Sequence, residues 1–370
     1  MQSGLKFELA QMVESAIVAE GSAARLSKKI VTAVRRLDPQ TGDDVNGIDP
    51  RTLKKLAADD PTVQLSAAQL RMLDAYFAPR GMSLAVRPLL ASHSILPHVA
   101  RSEKMLFLLG AYPRKEEMRI DVSHWDFKSV THLVNAMNSR APRAGYTMEE
   151  VIYQDGMAPT EFSRQSWFRR IADDTSIIAI GSSRVNHAAE YLLSEMFPSI
   201  DSRPFVFTSS DGSPSFQSAF WLPFNRFAAL GKRRGIKLDD RASDILRNHS
   251  SGARALVADK NLFVSDPLLR VSPRSEGNSV GESFKTYGIV AVQRRAAGGI
   301  WVAVCGLSGP GTFGSACAID TAVGLMPHVT PGRHSEPLWV VVEIGVQRKP
   351  ESADPREVVS QQIIYPLLAG

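Results

Sequence analysis

Ile177-Ile-Ala-Ile180, preceded by Ser176, is a short run without charge, and Gly181-Ser-Ser-Arg-Val-Asn186 and a helix-patterned stretch follow it at once. This succession constrains the fold more than any other feature. A strand with apolar residues at consecutive positions has no face left for water, so it must be covered on both sides, as parallel strands between helix layers are. Met105–Leu109, Phe205–Phe207, Ile300–Cys305 and Leu338–Val346 repeat the pattern, with Leu338–Val346 the last strong strand, and Val151–Tyr153 is a shorter example. Helical spacing marks Val130–Met137, Phe162–Ala172, His187–Phe197 and Thr312–Val323 between them. Tyr287–Gln293 pairs with Ile300–Cys305 through the turn Ala296-Ala-Gly-Gly299. The alternation predicts an α/β fold: a Rossmann-like ligand-binding domain over residues 100–370, with 208–285, rich in Ser, Gly, Pro and Arg, as an irregular insertion.

The first 95 residues have a different texture and read as a separate, all-helical domain. Phe7, Leu9, Met12, Val13, Ala16 and Ile17 recur at helical spacing, as do Leu26, Ile30, Val31, Val34 and Leu37, with Gly21-Ser22 between the runs and Ser22 as an N-cap. Asp49-Pro50 opens a further helix to about Ala58, with Asp as cap and Pro at the first helical position. Ser66 caps Ala67–Phe77, and Pro79-Arg-Gly81 closes it. With 44% hydrophobic and 22% charged residues, the chain has the balance of a globular protein. No stretch approaches the roughly 20 apolar residues of a membrane span. Glu8 and Glu14 interrupt the first apolar run, so it fails as a secretory signal, and the expected location is cytoplasmic. Cys305 and Cys317 make neither a disulfide framework nor a zinc pattern, and no metal or cofactor is implied.

The stretch Gly47-Ile-Asp-Pro-Arg-Thr-Leu-Lys-Lys-Leu-Ala-Ala58 resembles the recognition helix of phage-repressor-type (Cro/XRE-like) helix-turn-helix domains, and the likeness extends over roughly residues 23–90. In that family a glycine-containing turn precedes a capped helix whose exposed early residues meet DNA. The resemblance implies that Ile48, Leu53 and Leu56 face a core. It makes Arg51, Thr52, Lys54 and Lys55 the DNA-binding residues, and it implies a homodimer, because operator half-sites mirror two-fold symmetry. The sequence departs from the family at Thr41–Asn46, a short polar segment with Asp43-Asp44, where the preceding helix belongs. Net charge is +5, yet residues 1–100 hold twelve basic and ten acidic side chains. Phosphate affinity therefore requires the charges to segregate by face. The alternative is a helical assembly module of similar shape.

Two glycine-bearing loops leave apolar strands and enter helices: Gly181, Ser182, Ser183, Arg184 and Asn186 in one, Gly306, Ser308, Gly309, Gly311 and Thr312 in the other. In open α/β sheets ligands bind beyond the carboxyl ends of strands, where helix-start N–H groups, hydroxyls and an arginine suit an anion such as a nucleotide. Neither loop has the GxxxxGK[ST] or GxGxxG pattern, and tight strand-to-helix turns account for the glycines equally well. Asp121-Val-Ser-His-Trp-Asp126 gathers two carboxylates and an imidazole, but reads as a helix start capped by Ser123 or Asp126. Asp173-Asp174 reads as a solvated helix end, and Cys305 as a buried, inert thiol. No nucleophile–base–acid set emerges from the eight histidines. The reading is a DNA-binding transcription regulator whose α/β domain senses a small anionic ligand. The alternative is a nucleotide- or nucleoside-processing enzyme, for which His187, Glu190 or His334 beside the loops is the discriminating feature.

Overall fold

The structure, a computed structural model, describes residues 2–37, 47–63, 65, 67–77, 79, 95–114, 119–140, 145–199, 203–210, 218–236, 238–248, 252–266, 283–319, 327, 332–348 and 356–365. Thr41–Asn46, Ser66, Arg80-Gly81, His93, His249 and His328 lie outside them. The chain divides into two compact units, one holding Met1–Ile95 and the other running from Leu96 to Ile364.

The described elements of the first unit are helices: α1 (Gln2–Glu20), α2 (Ala23–Leu37), α3 (Pro50–Ala57) and α4 (Ala67–Phe77). Gly21 takes φ +78° between α1 and α2, a value that costs a side-chain-bearing residue strain, and Ser22 Oγ accepts from the Arg25 amide. Asp49 caps α3 by accepting from the Arg51 amide at 2.8 Å. Leu9, Val13, Leu26, Ile30, Leu53 and Leu73 meet in one buried cluster, with Ile48, Leu56, Leu70 and Phe77. Each such side chain contributes about 1.5–3 kcal/mol by leaving water. That burial, more than propensity, holds a helix as short as α3.

The second unit is a mixed α/β structure. After α5 (Ile95–Ala100), its strands are β1 (Met105–Arg114), β2 (Arg119–Val122), β3 (Thr147–Ile152), β4 (Ser176–Ile180), β5 (Phe205–Ser209), β6 (Arg254–Ala258), β7 (Asn261–Val264), β8 (Ser283–Arg294), β9 (Ile300–Gly306), β10 (Leu338–Arg348) and β11 (Arg356–Tyr365). The helices are α6 (His124–Asn138), α7 (His187–Met196), α8 (Phe224–Arg233), α9 (Asp240–Arg247) and α10 (Gly309–Ala318). The main sheet runs β11-β10-β8-β9-β4-β1-β2, with β3 also on β1. β3, β1, β4 and β9 are parallel, whereas β8 and β10 continue the sheet antiparallel. One face is covered by α6 and α10, which pack on each other. On the other lie α7, two 3-10 turns and a small antiparallel sheet β5-β6-β7, whose Phe205 and Phe263 meet Trp339 and Tyr287 of the main sheet. Coverage on both faces is why every residue of β4 and β9 is buried.

Three expectations are corrected. Phe162–Ala172 is not one helix but two 3-10 turns, Pro159–Arg164 and Ser166–Arg170. An α-helix would turn Phe162 and Trp167 about 140° apart. The break at extended Gln165 lets both reach the core, and its side chain donates to Ile152 O and accepts from Trp167 Nε1. The described part of 208–285 is not irregular: β6, β7, α8 and α9 build their own core around Val206, Phe227, Leu246 and Val257. Finally, β11 follows β10, so Leu338–Val346 is not the last strand; as an edge strand with Glu357, Val359, Ser360 and Gln361 exposed, it lacks an apolar run. The helix expected from Thr312 starts at Gly309, with Ser308 as its cap.

Candidate functional site

In the helical unit, charge separates by helix. Arg25, Lys28, Lys29, Arg35 and Arg36 of α2 are all exposed, as are Arg51, Lys54 and Lys55 of α3, and neither helix contains an acidic residue. Thr52 is half-buried. The apolar positions of the two helices, Leu26, Ile30 and Val34 with Leu53 and Leu56, point inward and leave the basic ones to water. The start of α3 is anchored on α2: Ser27 Oγ donates to Ile48 O at 2.7 Å, and Gly47 is pressed against Ser27 and Val31, where a Cβ would not fit. On the helix wheel Lys28 and Arg35 flank that contact, so basic residues of both helices border one junction. Exposed acids sit at Glu8 and Glu14 on α1, at Asp49, whose carboxylate is engaged as the cap of α3, and at Asp59 beyond the end of α3.

In the α/β unit, β4 and β9 are parallel neighbours, and the Gly181 amide donates to Val304 O, so the two glycine loops emerge side by side. They differ in what they leave available. In the first, Ser182 and Arg184 are half-buried; Ser182 Oγ accepts from the Arg184 amide, and Arg184 Nη1 reaches Ser209 Oγ at 3.4 Å, with its guanidinium over Trp221. Ser183 is buried. Asn186 is buried and fully engaged: Nδ2 donates to Leu108 O and Ile180 O, while Oδ1 accepts from the Ala188 and Ala189 amides. It ties β1 to β4 and caps α7, which occupies the helix-start N–H groups that an anion would need.

The second loop is turned inward. Ser308 Oγ accepts from the Gly311 amide and meets Thr286 Oγ1, while Thr312 donates to Ser308 O. Its glycines admit close neighbours: a Cβ on Gly306 would fall on Gly311 and Thr312, and one on Gly309 would fall on the Trp125 ring. Gly314 makes the same allowance for Ile344. These close approaches let α10 lie against β8, β9, β10 and α6.

Between the first loop and β1 stands a residue that sequence reasoning treated as a cap. Asp126, in the first turn of α6, is 4% exposed and makes no hydrogen bond or ion pair among the described residues. Its Oδ2 lies 3.1 Å from where a Cβ of Gly181 would be, and Gly181 has φ +118°. Burial pushes its carboxyl up to about 7. Ser123 occupies the N-cap position without a side-chain cap bond. The Tyr112 hydroxyl, pushed up to about 12 by burial first and then by the Asp126 charge, also feels Arg184, Tyr153 and Arg254. Arg254, at the start of β6, donates from Nη1 to Leu307 O and so bridges the small sheet to the second loop. Asp126, Arg184 and Arg254 therefore all act on the Tyr112 hydroxyl near the carboxyl ends of the parallel strands, the location at which such sheets bind ligands.

The residues that were to discriminate an enzyme lie differently. His187 is buried, stacked on Phe162 at 5.3 Å and near Tyr153, and burial pushes it down to about 4. Glu190 is buried and pushed up to about 7 by burial, but it accepts from Ser218 Oγ and the Ala219 amide. His334 Nδ1 accepts from the Ala296 amide. Asp173 and Asp174 pair with Arg295 and Lys104, and Cys305 is buried with its thiol pushed up. Among the described residues no three His, Cys, Asp or Glu side chains are placed to hold a metal ion, and no helix is long and apolar enough to cross a membrane. A separate cleft of about 280 Å³ at the end of β3 is lined by Ile152, Met157, Glu161 and Gln165, and the Gln165 amide is used internally. No protein-family model, curated protein or solved structure matches the chain.

Proposed function

We propose that the chain is a cytoplasmic DNA-binding regulator: its helical unit is a helix-turn-helix-like domain, and its α/β unit is a Rossmann-like sensor of a small anionic ligand. The observation that carries this reading is the eight exposed basic side chains of α2 and α3 with no acidic residue within either helix. A segment nearly neutral in total presents a positive face, which is what phosphate neutralisation requires. Arg51, Lys54 and Lys55 project from the α3 face opposite Leu53 and Leu56, where a recognition helix carries its DNA contacts, with Thr52 at the flank. Basic residues of α2 beside the α3 junction supply backbone contacts. A homodimer would place two α3 helices on successive half-sites. In the α/β unit, Arg184 and Arg254 both lie near Tyr112 at the carboxyl ends of the parallel strands, and guanidinium groups there suit an anion.

The test is titration of duplex DNA by fluorescence anisotropy at several salt concentrations, with an Arg51→Ala, Lys54→Ala, Lys55→Ala triple variant as control. The reading expects salt-sensitive binding that the variant weakens. A second reading, an enzyme acting on nucleotides, is favoured by Asp126, a buried carboxyl that makes no hydrogen bond or ion pair among the described residues, beside the glycine loop. Turnover of ribonucleotides by the wild type that Asp126→Asn abolishes would establish it.

A further inference from the structure

We infer that β11 is the interface of a symmetric dimer: two copies of the chain pair antiparallel through this edge strand, with Gln361 on the two-fold axis, and their main sheets join into one. The homodimer of the proposed function thereby acquires a surface, and the inference rests on that reading only for the number of copies.

Its first support is an edge left open. A strand at the end of a sheet offers a row of backbone donors and acceptors to any other chain, and proteins ordinarily blunt such edges with shortness, charge or a covering group. The opposite end of this sheet does so. β3 has six residues, carries Glu149 and Glu150, and has its last carbonyl, Ile152 O, occupied by Gln165 Nε2. β11 has none of these protections. It is ten residues long, pairs among the described residues with β10 alone, and holds no charged residue or proline from Val358 to Tyr365. Val359, Ser360, Gln361 and Gln362 are exposed, Val359 at 52%. The strand is already seated on its inner side, where Gly345 of β10 leaves the room that Ser360 fills.

The second support is the order of its residues, which commits the edge to a copy of itself. Peptide groups point alternately to the two sides of a strand, so in a two-fold antiparallel pair some residue must stand opposite its own copy. With Gln361 as that residue, Ser360 stands opposite Gln362, Val359 opposite Ile363 and Val358 opposite Ile364. Polar side chains meet in the middle and β-branched ones on either side, the combinations that stabilise neighbouring strands. An axis at Ser360 would set Val358 and Val359 against glutamines and Glu357 against Ile363. An axis at Gln362 would set Ile363 against Gln361 and Ile364 against Ser360. Only the Gln361 register matches at every pair. A partner of other sequence would gain nothing from this palindrome of polarity, whereas a second copy is complementary to it.

Sedimentation velocity of the full chain over a concentration series tests the interface, on the wild type, Gln361→Lys and Gln361→Glu. Gln361 is exposed, so either charge is solvated in the monomer, but in the dimer it faces its like across the axis. The expected result is a wild-type dimer whose dissociation constant rises at least about tenfold in each variant at low salt. Mixing the two variants in equal amounts should restore the dimer, since lysine then faces glutamate, and the restoration shows that both variants are folded. A wild type that stays monomeric throughout the series, or a dimer that neither charge weakens, overturns the interface. So does an equal mixture that associates no more tightly than the separate variants. Duplex-DNA binding is measured on the same wild-type preparation: a monomer that binds DNA sinks this interface alone, and a dimer without DNA affinity sinks the DNA-binding reading alone.

Discussion

Replacing Asp126 by Asn should make the protein more stable at alkaline pH, and the size of the effect follows from the burial of the carboxyl. Its folded pKa is raised from 3.8 to about 7 with burial as the cause. Between those values the folded state keeps a proton that the unfolded chain has lost, so stability falls as pH rises and the penalty is complete above pH 7. A rise of that size corresponds to roughly 4 kcal/mol at high pH. Linkage places roughly 2.5 kcal/mol of it between about pH 5 and pH 8. The Asn amide is itself buried and costs about 1–3 kcal/mol at every pH, so the variant gains at pH 8 and lies close to wild type at pH 5. The groups facing Asp126, the Tyr112 hydroxyl and the Cys305 thiol, are both pushed upward and stay neutral over this range. The displaced pKa values of Glu190 and His187 are common to both proteins and cancel in the difference. Urea denaturation of both proteins at the two pH values measures it. A difference in unfolding free energy that does not change between pH 5 and pH 8 would refute the reasoning.

Three further outcomes follow from the same structure. Asn186→Ala removes two ties to strand carbonyls and the cap of α7 together, and should cost about 2–4 kcal/mol in a urea titration. A cost under about 1 kcal/mol, on the scale of a lone cap, would show that those bonds are not formed. Gly306→Ala drives a methyl into the first turn of α10 and should destabilise by about 3 kcal/mol or more, in the range of severe overpacking; a thermal melt equal to wild type would contradict the close approach of α10 to β9. His187, depressed to about 4, resists protonation in the folded state alone, so stability should decline as pH falls from 6.5 towards 4. His187→Phe, which keeps the stacking shape, should flatten that limb of the pH–stability curve.

What could be read from the residues depended on whether a local pattern had one physical cause. β4 was legible because an uncharged run allows only a doubly covered strand, and α3 because Asp49-Pro50 is both a cap and a first-turn pair. The outward positions of Arg51, Lys54 and Lys55 followed from the spacing of Leu53 and Leu56. Where one pattern had two causes, reading stopped. The glycines of Gly306–Gly311 look alike whether they cradle a phosphate or admit Trp125 and the first turn of a helix, and here they do the latter. Asp126 was passed over because a carboxylate in a first helical turn is ordinarily a solvated dipole partner; only the packing of α6 over β1 and β4 shows it enclosed. Arg254 is remote in sequence from both loops, and it reaches the second through the β5-β6-β7 sheet, which polar, glycine-rich composition concealed. The contribution of α2 to the basic face was equally hidden, since Lys28-Lys29 and Arg35-Arg36 gain meaning only once their helix is seen beside α3.

The central claim is that α2 and α3 present a phosphate-binding face, and duplex DNA titrated by fluorescence anisotropy across a salt series tests it most directly. The account predicts binding at low salt whose log–log slope becomes shallower by about 0.9 for each phosphate that a variant no longer neutralises. The Arg51, Lys54 and Lys55 triple alanine variant should therefore have a slope shallower by up to about 3. Absence of binding by the wild type at low salt, or a triple variant with the wild-type affinity and slope, would contradict it.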